Sequence, residues 1–383
     1  MAPIGKIFLR LFALLGVIII SQPLHIKEKP PSFLIISLRY LGDVLVTTPL
    51  AVSLKHAYPE AIVDYLVFNG TESVLANNPL IRKVITIPHK KYNISTLAAL
   101  LNTYDVTFGA NPSDRTAIVA ACAGKISICL SYHRKKEWWK KILLTHDLYC
   151  DDENHVVSNI LSLLKPLNIP AIPCVSMGYD ECDLIFARQA MPGEPYIVLH
   201  PFSSNRYKFL PAKTWGNLAQ LIREQTGCQV IITRSPASEN EAYLMDILAQ
   251  AGNAASTFTE PCSLSQLAAS IKGAVAYVGI DTVVTHLAAA VGTPTFALFG
   301  PTLTRYWAPW PNNSSESSPF SINKGIQSKS NVTIIQKDWK CVPCNGMSCR
   351  ISTQNRMECL EQITPEEVFK EMTKHVDFTR RAT

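Results

Sequence analysis

Short, almost continuous apolar runs alternate along this chain with longer stretches of mixed polarity. Phe33–Leu38 is such a run and reads as a buried strand. Ala61–Phe68, Val84–Ile87 and Val106–Gly109 repeat the signature, with helical stretches between them. Val44–Tyr58 reads as the first of these helices, with Pro49 tolerated in its early turns. Strands alternating with helices predict a parallel sheet with crossover helices. A second series begins at Tyr196–His200 and continues through helix Ala212–Gln225, stopped by Gly227, strand Gln229–Thr233, helix Glu239–Ala251 and helix Leu264–Ile271. Ala274–Gly279 then leads into Asp281, a short helix ended by Gly292 and Pro294, and a buried strand Thr295–Phe299. Near the end, Thr364 caps a helix to His375, with Pro365 at its first position and Glu367 three residues on, the pattern of a capping box.

Pro166–Pro195 carries five prolines (Pro166, Pro170, Pro173, Pro192, Pro195) and little periodicity, which marks a linker. A chain of 383 residues is also too long for one ordinary core. The expected division is a hydrophobic segment at 1–30, an α/β domain at 31–185, a second α/β domain at 186–362 with a cysteine-rich tail, and a helix at 363–383. Asn312–Ser318 reads as a polar loop, and the basic Tyr132–Lys141, with its Trp pair, as a solvated loop or helix edge.

Ile7–Ile20 is apolar apart from Arg10 and Gly16. As a helix it would reach about 21 Å, short of the roughly 30 Å of a hydrocarbon core. Arg10 and the lack of a small-x-small cleavage site weigh against a signal peptide. The preferred reading is a peripheral anchor or a docked helix, on the cytosolic side of a membrane.

Charged residues make up 17% of the chain and hydrophobic ones 47%, so it is globular and not disordered. The net charge of +6 suits an anionic lipid surface or a phosphorylated substrate, and is too weak and dispersed for nucleic acid. Eleven scattered cysteines, an odd number, fit reduced cytosolic thiols better than a disulfide framework.

Three loops concentrate the chemistry. After the first strand, Gly42 permits a turn that a side chain would obstruct, and Asp43 lands at a helix start. There the helix dipole favours an ionised carboxylate, able to serve as general base or simply as an N-cap. Ser203, Ser204 and Lys208 lie between a strand and the helix after Pro211, a set of hydroxyls and an ammonium that suits a phosphate. Asp281 is placed to cap the helix that follows it, with Thr282 and His286 four apart on one helical face. Acid, hydroxyl and imidazole at the carboxyl end of a strand suit a sugar nucleotide. The competing reading is a capped core helix with an incidental histidine. Neither a Walker pattern nor G-x-G-x-x-G is present, which disfavours P-loop and dinucleotide enzymes.

LRYLGDVLVTTP, HPFSSNRYKFLP and LSQLAASIKGAVAYVGIDTVVTHLAAAVGTPTFALFGPT together resemble glycosyltransferase family nine, the ADP-heptose:lipopolysaccharide heptosyltransferases, over roughly residues 33–302. The resemblance implies a GT-B fold, two Rossmann-like domains with parallel sheets facing an interdomain cleft, acceptor on the N-terminal side and donor on the C-terminal side. It implies an inverting, metal-independent transfer of heptose from ADP-L-glycero-D-manno-heptose to the inner core of lipopolysaccharide. The alternatives are a GT-B transferase for another nucleotide sugar, or a non-catalytic sugar-nucleotide-binding relative. By the resemblance Asp43 is the catalytic base, and Ser203, Ser204, Lys208, Glu239, Asp281, Thr282, Val283 and His286 bind the donor. Glu239 is the acid expected at the ribose, with loose spacing; Val283 and Thr285 stand where the family often has Gly and Ser. Gly42, Arg115 and Arg134, with Lys135 and Lys136, are acceptor candidates, since core sugars carry carboxylates and phosphates. The implied partners are an ADP-sugar and a lipid A–core acceptor at the cytoplasmic face of the inner membrane, with no nucleic acid; oligomeric state is not legible.

Cys341-x2-Cys344-x4-Cys349-x9-Cys359 has the count of a four-thiolate zinc site. Similar tails occur in heptosyltransferase-like chains without an assignable metal role, so the expectation is no cofactor and no metal.

Overall fold

The computed structural model describes residues 30–90, 94–191, 193–312, 314, 316–351 and 357–378. The expectations for residues 1–29, and parts of those for the 312–318 loop, lie outside the described residues. The chain divides into two compact units between Ser176 and Met177, inside the proline-rich stretch.

In the first unit six strands, β1 (Ser32–Ser37), β2 (Ile62–Phe68), β3 (Lys83–Ile87), β4 (Tyr104–Gly109), β5 (Gly124–Ser131) and β6 (His146–Tyr149), form one sheet in the order β3-β2-β1-β4-β5-β6. Every pairing in it is parallel. β1 lies at the centre, Ile35 paired with Tyr65 on one side and Phe108 on the other. Phe33, Leu34, Ile35 and Ile36 are all fully buried, which is why this strand reads as an unbroken apolar run and not as an alternation.

The second unit repeats the plan with β7 (Tyr196–His200), β8 (Gln229–Ile232), β9 (Ala255–Thr257), β10 (Ala276–Ile280), β11 (Thr295–Phe299), β12 (Gln327–Lys329) and β13 (Val332–Gln336). Their order is β12-β13-β11-β10-β7-β8-β9, with only the β12–β13 pairing antiparallel. Both sheets thus have the Rossmann arrangement, in which strand order reverses beside the first strand. That reversal leaves a crevice at the carboxyl ends of β1 and β4 in one unit, and of β7 and β10 in the other.

Several sequence expectations need correction. The helix expected over Val44–Tyr58 is two helices, Leu41–Leu45 and Thr48–Ala57. Pro49 has no N–H to continue the first helix, so it sits in the opening turn of the second. The hydroxyls of Thr47 and Thr48 donate back to the carbonyls of Val44 and Leu45 at the break. The proline-rich stretch also contains a helix, Glu181–Ala190, started by a capping box between Asp180 and Asp183. Residues 132–141 include a 3-10 turn, Lys135–Glu137, and the start of a short helix, Lys140–Leu143.

The C-terminal capping box is present as read. Thr364 Oγ1 accepts from the Glu367 N–H at 3.2 Å, and Glu367 Oε2 accepts from the Thr364 N–H at 3.0 Å. The helix it starts, Pro365–His375, packs on Ala212–Thr226 and adds Val368 and Met372 to the core of the second unit. Replacing Thr364 by Ala removes one reciprocal bond and is expected to cost about 1 kcal/mol, lowering the melting temperature of the second unit by about 2–4 °C. Differential scanning calorimetry checks this, and an unshifted transition would mean the cap contributes nothing.

Candidate functional site

Asp43 follows β1, Ser203, Ser204 and Lys208 follow β7, and Asp281, Thr282 and His286 follow β10, whereas Arg134 follows β5 and Glu239 follows β8. In the first unit the loop after β1 carries Arg39, Gly42 and Asp43. Tyr40 is the N-cap of the helix Leu41–Leu45 and makes no side-chain cap bond, so Asp43 is a first-turn residue and not the cap. Burial pushes the Asp43 carboxyl above its ordinary range, while the Arg39 guanidinium and the backbone N–H groups of Tyr40 and Asp43 draw it part of the way back. A carboxylate held in this way is a stronger base than a solvated aspartate and still ionises. Gly42 does not serve the purpose expected of it. Its backbone is outside the left-handed region, and a Cβ there would meet nothing within 4 Å. The glycine leaves open space beside Asp43 instead of enabling a turn.

The loop after β4 contributes Asn111, which sequence reasoning missed. Its Oδ1 accepts from the Leu38 N–H at 2.9 Å and from Thr116 Oγ1 at 3.0 Å. Two bonds on one oxygen fix the amide, and its Nδ2 is buried without a partner among the described residues. Ser37 Oγ, at the end of β1, is buried too and has no hydrogen-bond partner among the described residues, so two unsatisfied polar atoms lie at adjacent strand ends. Neither residue belongs to a motif, and pairing across β1 and β4 is what brings them together.

Of the expected acceptor cations, Arg115 is engaged locally. Its guanidinium donates to the carbonyls of His89 and Pro88 at 2.9 and 3.0 Å and lies over the Phe68 ring. Arg134 is exposed, with its guanidinium 4.7 Å from the centre of the Tyr132 ring. Burial raises the Tyr132 hydroxyl pKa, with Cys150 and Asp152 adding to the rise and Arg39 and Arg134 opposing it.

In the second unit the organising contact is an ion pair between the loops after β7 and β10. Lys208 Nζ donates to Asp281 Oδ2 at 2.6 Å and to the Asp281 carbonyl at 3.3 Å. The two side chains are only 16% and 11% exposed, so neither charge is screened as a surface pair would be. Thr302, in the loop after β11, donates to the same Asp281 oxygen at 2.7 Å. Asp281 is therefore not the helix cap expected from sequence: the N-cap of Val283–Ala290 is Thr282, without a side-chain bond. Lys208 and Thr302 hold the Asp281 carboxylate, and among the described residues no side chain caps the first N–H groups of the helix, Val283 among them. Thr302 lies outside the residues selected from sequence, since only the fold carries it to Asp281.

His286 is buried one helical turn further in. Burial lowers its pKa to about 4, and Lys208 adds to the effect while Asp281 opposes it. The imidazole is thus neutral at pH 7, and its Nδ1 has no hydrogen-bond partner among the described residues. Thr285 is fully buried, bonded to the Ile280 carbonyl and 3.0 Å from the Tyr277 hydroxyl, so this departure from the family pattern faces the core. Ser203 is half-buried and accepts from the Asn205 N–H at 3.2 Å; Ser204 is exposed. Glu239 is exposed in the 3-10 turn Ser238–Asn240, at the carboxyl end of β8.

None of the 11 cysteines is joined in a disulfide. Burial, with the three thiols of Cys344, Cys349 and Cys341 adding to it, pushes Cys359 up to about 12, so it holds its proton. Among the described residues no group of three or more His, Cys, Asp or Glu side chains is arranged to hold a metal ion.

The sequence profile of glycosyltransferase family 9 (heptosyltransferase) matches residues 95–337. Lipopolysaccharide heptosyltransferase 3 of Escherichia coli (strain K12) is 30% identical over 299 residues, 72% of this chain and 84% of that protein. Lipopolysaccharide heptosyltransferase 1 of Pseudomonas aeruginosa is 25% identical over 337 residues, 82% of this chain and 86% of that protein. Among solved structures, E. coli ADP-heptose LPS heptosyltransferase II superposes with a TM-score of 0.66 at 20% identity, covering 90% of this chain and 98% of that one. E. coli heptosyltransferase WaaC with ADP gives 0.66 at 17%, covering 90% and 99%. The fold is that of the GT-B heptosyltransferases, and the chain belongs to glycosyltransferase family 9.

Proposed function

We propose that the chain transfers heptose from ADP-L-glycero-D-manno-heptose to the inner core of lipopolysaccharide, with inversion and without a metal ion, at the cytoplasmic face of the inner membrane. The observation that carries this reading is the Lys208–Asp281–Thr302 constellation, set beside an uncapped helix N-terminus and the unpartnered His286 Nδ1. A diphosphate needs a cation and N–H donors, and the second unit offers both at one strand edge. The names of the matched relatives supply the sugar and the acceptor: lipopolysaccharide heptosyltransferases, and a structure with ADP.

In this mechanism Asp43 takes the proton of the acceptor hydroxyl, which attacks the anomeric carbon from the face opposite ADP. The C–O bond to the β-phosphate breaks, and negative charge grows on that phosphate. Lys208, the first N–H groups of Val283–Ala290 and the Ser203 and Ser204 hydroxyls offset the charge, the task a metal performs in other transferases. Neutral His286 donates or accepts a hydrogen bond without adding charge, and Glu239 is assigned to the ribose. Arg134 with Arg39 receives the anionic groups of the acceptor.

Asp43→Asn should leave ADP-heptose affinity unchanged by calorimetry and lower kcat by about a hundred- to ten-thousandfold. Native turnover in that variant would remove Asp43 from the mechanism. Only the ionised base accepts a proton, so kcat/KM of the native enzyme should fall as pH drops. The upward shift of Asp43 puts that fall above the ordinary aspartate pKa of about 4; a profile flat down to that value would contradict the burial argument. Lys208→Ala should weaken ADP binding by about 2 kcal/mol or more. Native affinity in a folded Lys208→Ala protein would reassign the phosphate site. Turnover should survive prolonged chelator treatment, and its loss, restored by an added divalent cation, would contradict the metal-free reading. A screen of ADP-heptose against other ADP-sugars and UDP-sugars should select ADP-heptose, and preference for another donor would redirect the substrate.

A further inference from the structure

On the reading above the acceptor is anchored in lipid, so the enzyme works against a bilayer. We propose that residues 134–142 of the first unit are the face that docks on it, and that its partner is an anionic phospholipid surface. The segment has two distinct sides. Inward, Leu143 clusters with Ile118, with Trp139 packed against them. Lys140, fully buried, donates to Glu137 at 3.0 Å and lies 3.5 Å from Asp114. Glu137 is itself buried and also accepts from the Arg134 N–H, so the acid of the segment is turned away from solvent.

Outward, Trp138 is 66% exposed and Ile142 59% exposed. They are four residues apart, Trp138 just after the 3-10 turn and Ile142 in the short helix. Arg134, Lys135, Lys136 and Lys141 are exposed around them. A large indole and an aliphatic side chain presented to water, in a segment with four exposed cations whose one acid, Glu137, is buried, have the chemistry of an interfacial docking site, with Asp114 the exposed carboxylate beside it. Tryptophan prefers the headgroup level of a bilayer, and basic side chains are drawn to anionic headgroups.

Charge decides between occupants. A second copy of this face would set cations against cations. The apolar Ile7–Ile20 contains Arg10 and no acidic residue, so it offers no complement either. An anionic lipid surface satisfies the apolar and the basic side chains together.

The test uses the full chain, without donor or acceptor, co-sedimented with vesicles of phosphatidylethanolamine and phosphatidylglycerol, or of phosphatidylcholine alone. The native protein should partition onto the anionic vesicles preferentially, and added salt should weaken the binding. A Lys135→Gln/Lys136→Gln/Lys141→Gln variant should lose roughly tenfold or more of that partition, since each headgroup-facing lysine is worth about fivefold. Trp138→Ser/Ile142→Ser should reduce it as well while retaining the native circular dichroism spectrum, because both side chains face water. Equal binding by native protein and both variants would overturn the proposal and place any membrane contact elsewhere, as would native protein that ignores anionic vesicles. ADP affinity measured on the same samples keeps the outcomes separate: loss of donor binding bears on the transferase reading, loss of vesicle binding on the docking face.

Discussion

Burying a lysine and an aspartate against each other is hazardous unless the geometry closes, because each charge gives up water to enter the protein. In the second unit it closes: Asp281 receives Lys208 at 2.6 Å and Thr302 at 2.7 Å on the same oxygen. Three loops, following β7, β10 and β11, are thereby tied at one carboxylate. Removing either charge would leave the other uncompensated, a penalty of about 3–5 kcal/mol. On the proposed function an arriving diphosphate competes with Asp281 for the Lys208 ammonium, which the pair holds in position before the ligand arrives. His286, kept neutral by its burial, adds a polar ring nitrogen without adding charge.

The first unit solves a different problem with the same topology. Its crevice presents one partly desolvated carboxylate, Asp43, beside a glycine that leaves open room and two orphaned polar atoms on Ser37 and Asn111. Desolvation strengthens a base, and the nearby Arg39 keeps the ionised form accessible. On the proposed function the chain divides its chemistry by charge, a base on one unit and an anion seat on the other, each near the point where its sheet reverses strand order.

How much of this was legible in the sequence depended on whether the signal was local. Buried parallel strands such as β1 and β11 were readable because both faces are covered, which makes their runs continuously apolar. The Thr364 capping box was readable because its partners are three residues apart. The role of Asp281 as a helix cap was misread because Lys208 and Thr302, 73 and 21 residues away, outcompete the local N–H groups. The helix after β1 was drawn too long because the proline that starts the second helix looks tolerable inside the first. Asn111 and Ser37 carried no motif at all, since pairing across the sheet creates their relation. The bonds of Arg115, an acceptor candidate by sequence, to the His89 and Pro88 carbonyls span 26 and 27 residues and leave no local signal.

The central claim is that the second unit grips a diphosphate through Lys208 and the N-terminus of Val283–Ala290. The most direct measurement is a crystal structure of the protein with ADP bound. The account predicts a β-phosphate oxygen within about 3 Å of Lys208 Nζ, the distance of a charge-assisted hydrogen bond, with a first-turn N–H of that helix directed at the same phosphate. ADP seated elsewhere, with the Lys208–Asp281 contact undisturbed and facing no phosphate, would contradict it.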